Sequence, residues 1–146
     1  MTRQCGPCSA CCTVLEVAAI SKPGFAQCPN QEGGCSVYEQ RPAPCMSYRC
    51  HWLDGQLAED ERPDLVGLIF DSGLSPLFKM WGADAIVARE TAPGTAQEPR
   101  AARLIQKRAS EGNHVFVRPF SGGDSLVTRD SEMLKRVERE RERFRL

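Results

Sequence analysis

The stretch "CGPCSACC", residues 5 to 12, puts four cysteines into eight positions. The other four follow within the first 50 residues, and the rest of the 146-residue chain has none. The full set is Cys5, Cys8, Cys11, Cys12, Cys28, Cys35, Cys45 and Cys50. A Cys-x2-Cys turn brings two thiolates onto one ion while its backbone N–H groups point at the sulfurs, so metal ligation is the leading reading. Two plainer readings compete. A disulfide framework fits the even count but not a reducing compartment. Inert buried thiols fit the chemistry of cysteine but not this degree of clustering.

Eight thiols divide into two sets of four, each sufficient for a tetrahedral zinc ion or one iron–sulfur cluster. Cys11 and Cys12 are adjacent and are expected to point in different directions. They would then serve different sites, or one of them would only pack. Cys28 precedes Pro29, which echoes ferredoxin-type ligation, although the remote cysteine is spaced differently here. The spacing leaves zinc and iron–sulfur both open.

The totals place these thiols in an ordinary chain. With 41% apolar and 26% charged residues, the composition is that of a soluble globular protein with one modest core. The formal net charge is zero, so nothing in the total marks a dedicated nucleic-acid or membrane binder. The C-terminal third is mildly basic, but its charges alternate in sign. The N-terminus has no apolar signal-peptide core, and the longest apolar run, "LVGLIF" (65 to 70), is too short to span a bilayer. The expected location is the cytoplasm.

The stretches "CGPCSACC" (5 to 12), "CPNQEGGCSVYEQRPAPC" (28 to 45) and "YRCHWL" (48 to 53) together resemble the YkgJ-type cysteine-cluster family. That family is the zinc- or iron-chelating CxxCxxCC domain. "RPDLVGLIF" (62 to 70) extends the likeness, which covers about residues 5 to 70. The resemblance implies a metal-chelating module with distant relatives among flagellin lysine N-methylases.

The residues between the cysteines have physical readings of their own. Gly33 and Gly34 let the chain turn sharply into Cys35. Pro42 and Pro44 stiffen the approach to Cys45. Arg41 and Arg49 are candidates to offset thiolate charge, against the plainer reading of solvated surface arginines. Trp52 is expected to pack in the core or shield a metal. His51, beside Cys50, is a further candidate ligand, although the cysteines already complete two sites.

After the cysteines, "DLVGLIFDSG" (64 to 73) reads as a strand and "FKMWGADAIVARET" (78 to 91) as a second, bent near Gly82. Pro99 opens a helix over 99 to 113. "HVFVRPFSGG" (114 to 123) reads as a third strand ending in a turn, and 130 to 146 as a last helix capped by Asp130 or Ser131. Phe144 and Leu146 are its terminal apolar anchors. The expected fold is α+β in a single domain, residues 1–146. Residues 1–55 form a metal-binding cysteine module packed on a small antiparallel sheet with one or two helices. Residues 56–146 follow the order ββαβα.

No P-loop, dinucleotide fingerprint, His-Glu-x-x-His or nucleophile elbow occurs. Two functions remain. One is a metal-binding protein holding zinc or an iron–sulfur cluster on clustered thiolates, in a structural, metal-handling or electron-transfer role. The other is an iron–sulfur-dependent enzyme or an accessory to protein modification such as methylation. A nucleic-acid or membrane partner is not expected, and the C-terminal helix is the candidate surface for a protein partner.

Overall fold

The computed structural model describes residues 3 to 73 and 76 to 143. Phe144 and Leu146, the expected tail anchors, lie outside them. The chain begins with short helices: α1 (Ala10–Val14), α2 (Ala43–Ser47) and α3 (Pro63–Val66). It then builds a sheet of β1 (Leu68–Asp71), β2 (Ala85–Glu90), β3 (His114–Arg118) and β4 (Ser125–Val127). The longer helices are α4 (Pro99–Ser110), between β2 and β3, and α5 (Ser131–Arg143) after β4.

The class is α+β as expected, but the sheet is mixed rather than antiparallel. Its order is β1-β2-β3-β4. The outer pairs β1–β2 and β3–β4 are antiparallel, whereas β2 and β3 run parallel with Val87 opposite Phe116. The reason is connectivity. The 12-residue α4 carries the chain back to the start of the sheet before β3 begins, and a helical crossover of that kind joins parallel strands. A short fourth strand, not expected from sequence, pairs with β3 through the turn containing Gly122 and Gly123. The second expected strand shortens because Pro76–Trp81 forms a 3-10 turn instead.

Four boundaries have local causes. Pro63 and Pro99 each occupy the first helical turn, where a missing N–H costs nothing. Gly67 ends α3 with a φ of 78°, and a Cβ there would sit 2.8 Å from Cβ of Thr95. Asp130 caps α5 by accepting backbone N–H bonds from Glu132 at 3.0 Å and Met133 at 3.2 Å.

Both faces of the sheet are covered. β1 and β2 are buried at every position, with apolar residues followed by the buried charges Asp71 in β1 and Arg89 and Glu90 in β2. One face carries Leu68, Phe70, Ile86, Ala88, Val115 and Val117 against Leu104 and Ile105 of α4. Trp52, Leu53 and Leu57, which follow the last cysteine, join this cluster. On the other face Ile69 packs with Cys8, Ala10, Val14 and Leu15 of the cysteine-rich segment. Farther along, Ala85 and Phe116 pack against Met133 and Val137 of α5. No helix among the described residues is long and apolar enough to cross a membrane.

Candidate metal centre

The cysteines sit on short, tightly tied pieces of chain. In "CGPC" the N–H of Cys8 donates to the Cys5 carbonyl at 3.0 Å, closing a turn that presents both thiols. Cys11 and Cys12 lie on α1. The N–H of Cys28 donates to the Cys12 carbonyl at 2.9 Å, which holds the next loop against that helix. Cys35 forms a one-residue antiparallel bridge with Gln31. Cys45 lies in α2, whose start is set by Pro42 and Pro44. Cys50 follows, with the Leu53 N–H donating to its Sγ at 3.5 Å.

Gly34 is what allows the second loop to close on the first. Its φ is 123°, and a Cβ on it would lie 2.2 Å from the Gly6 carbonyl oxygen. Only glycine permits that approach, so "GG" packs directly on the "CGPC" turn.

All eight cysteines line one cavity of about 180 Å³. They are free thiols there; Cys8 and Cys28 are buried and the other six half-buried. All eight thus border the same space. Cys11 and Cys12 both line that space and interact with each other. Consecutive helical residues project only about 100° apart, so both thiols can lean into one space.

The lining fits a thiophilic group in donor chemistry: eight sulfurs, with backbone N–H groups directed at Cys8 and Cys50. The thiols surround the space without closing on a point. Among the described residues no three His, Cys, Asp or Glu side chains are grouped so as to hold a metal ion as they stand. Ligation requires the thiols to draw inward.

Burial and mutual contact set the thiol acidities. Burial pushes Cys8 up to about 11 and raises Cys5, Cys45 and Cys50 as well. The hydrogen bond between the adjacent pair raises Cys11 and lowers Cys12 to about 7, with the nearby Lys22 ammonium also favouring the Cys12 thiolate. Cys12 thus carries more anionic character than an ordinary thiol.

His51 is placed away from ligation. It is 3% exposed, with Nε2 at 3.0 Å from Ser72 Oγ and Nδ1 at 3.0 Å from Arg108 Nη2. Both ring nitrogens are engaged by protein partners. Its backbone N–H donates to the Phe70 carbonyl at 2.7 Å on the edge strand, so this residue ties the last cysteine to the sheet. Trp52 packs in the sheet core, its Nε1–H donating to the Glu59 carbonyl at 3.1 Å.

Of the two arginines expected to offset thiolate charge, only Arg41 lines the cavity. Arg49 pairs at 2.5 Å with Asp54 on the surface. The buried Lys22 takes its place in the lining, a residue that sequence reading passed over. Lysine is usually exposed, and nothing local in "ISKPGF" signals its burial.

Tyr48 connects the cavity wall to the sheet. Its hydroxyl donates to Asp71 Oδ2 at 2.8 Å, and Arg89 Nε donates to the same oxygen at 2.6 Å. Burial and the Asp71 carboxylate together keep Tyr48 protonated well above its usual range.

No protein-family model matches the sequence. No curated protein and no solved structure matches it either.

Proposed function

We propose that this chain is a metal-binding protein that holds zinc or an iron–sulfur cluster through Cys5, Cys8, Cys11, Cys12, Cys28, Cys35, Cys45 and Cys50. The reading rests on one observation: eight thiols from separate stretches of the first 50 residues converge on a single cavity. A random set of buried cysteines has no reason to share one space. The likeness of residues 5 to 70 to the YkgJ-type cluster family points the same way.

Thiolate-only coordination leaves no open position for substrate, which favours a structural, metal-handling or electron-transfer role over hydrolysis. The bound group would supply cross-linking of the cysteine loops and, if it contains iron, an electron store. The protein's part is to gather the sulfurs, direct N–H groups at them and bury them against Ile69 of the sheet.

Anaerobic purification followed by absorption spectroscopy, metal analysis and sulfide analysis tests this. A colourless protein with about two zinc ions supports the zinc form. A brown protein with iron and acid-labile sulfide supports the cluster form. A metal-free protein with its cysteines paired as disulfides in non-reducing mass spectrometry overturns both.

A further inference from the structure

Lys22 lines the cysteine cavity yet is only 3% exposed. Its ammonium donates to the carbonyls of Thr13 at 3.1 Å, Pro23 at 2.9 Å and Leu15. These bonds use all three of its N–H donors and pin the loop that follows α1. They do not neutralise its charge. Taking an ammonium out of water costs several kcal/mol, and a buried cation is ordinarily matched by an anion.

No carboxylate among the described residues forms an ion pair with Lys22. Arg41, the other cation in the lining, is in the same position. It donates to the carbonyls of Tyr38 at 2.9 Å and Cys45 at 3.4 Å, and lies 3.9 Å from the centre of the Tyr38 ring. Glu16 also lines the cavity but is exposed and pairs with neither. Two cations whose hydrogen bonds go only to carbonyls thus share a wall with eight thiols.

We propose that the cavity is built for a centre of net negative charge, with Lys22 as its buried counter-cation and Arg41 as a second. The inference rests on the metal-binding reading above and deepens it. A zinc ion on four thiolates carries a net charge of about −2, whereas neutral thiols carry none. The charge on Lys22 acts on Cys28, Cys12, Cys11 and Cys45, which come from three separate parts of the chain. Lys22 is a positioning residue in this scheme: it holds the loop by its hydrogen bonds and balances the sulfurs by its charge.

Cobalt(II) is the probe, added anaerobically to the reduced, metal-free full chain. Its dissociation constant is read by chelator competition and its sulfur-to-cobalt charge-transfer band by near-ultraviolet absorption. Wild type is compared with Lys22→Gln, Lys22→Arg and Arg41→Gln. A nearby cation lowers the energy of filled thiolate orbitals, so its removal moves the band to longer wavelength. Lys22→Gln is expected to bind roughly tenfold or more weakly, with a red-shifted band, and Lys22→Arg to restore both.

A purely structural lysine would weaken binding without moving the band, and a wild-type band in Lys22→Gln overturns the proposal. If Lys22→Gln does not fold, the half-buried Arg41 carries the same test, and an unshifted band in Arg41→Gln is equally decisive against it. Failure of the wild type to bind cobalt at all is a different result. It removes the metal-binding reading itself.

Discussion

Arg108 Nη2 donates a hydrogen bond to His51 Nδ1 at 3.0 Å, and this fixes the state of the imidazole. A guanidinium is only a donor, so Nδ1 must accept and the ring proton sits on Nε2, which donates to Ser72 Oγ. The neutral ring therefore joins the end of the cysteine segment to α4 on one side and to the residue after β1 on the other.

A protonated His51 would turn a second donor toward Arg108. Burial first, and the Arg108 charge second, hold its pKa below the usual 6.5. The unfolded chain takes up that proton more readily than the folded one. The stability this residue contributes is thus full above the unfolded value and is lost as pH falls through the lowered folded value. Chemical denaturation of wild type and His51→Gln between about pH 8 and about pH 5 checks this. The wild-type advantage shrinks on acidification, and a constant difference would contradict the assignment.

Asp71 and Arg89 form a buried ion pair at 2.6 Å, with side-chain exposures of 3% and 7%. Asp71 also accepts from Tyr48 and from the Gly73 N–H at 2.8 Å. Asp71→Asn leaves the Arg89 charge without its partner and is expected to destabilise by about 3–5 kcal/mol. Asp54→Asn, which removes the exposed partner of Arg49, is expected to leave the denaturation midpoint where it was. Equal effects from the two variants would show that burial is not what gives the first pair its weight.

The two glycines before Cys35 separate a steric demand from a conformational one. Gly34→Ala drives a Cβ into the Gly6 carbonyl and should pull the Cys35 loop off the Cys5–Cys8 turn, lowering metal loading sharply. Gly33 has a φ of 61° but nothing within 4 Å, so Gly33→Ala costs only the left-handed backbone strain of about 1–2 kcal/mol. Metal content of the purified variants, with circular dichroism as the fold control, reads the difference. Full loading of Gly34→Ala would mean that the two loops need not touch.

If the chain holds the proposed metal, its removal should loosen the chain unevenly. The loops carrying Cys5 to Cys45 have little regular structure, so hydrogen-exchange protection there is expected to fall first after chelation. Residues 51 to 57 should keep their protection with the sheet, because Trp52, Leu53 and Leu57 are buried in its core. Simultaneous loss of protection across both regions would argue for one cooperative unit instead.

The sequence by itself determined where the thiols cluster and much of the local structure. Cysteine spacing is a short-range signal, since a Cys-x2-Cys turn is decided within four residues. Proline does the same for helix starts: Pro99 marked α4 because its fixed φ and missing N–H suit a first turn. Only the tertiary structure decided what depends on neighbours distant in the chain. Parallel pairing of β2 with β3 follows from how α4 packs across the sheet, not from either strand's composition. The burial of Lys22, the engagement of His51 by Arg108 and the gathering of eight thiols around one cavity are of the same kind. A lysine or histidine takes its role from the partners that burial leaves it, and 57 residues separate His51 from the arginine that fixes its tautomer.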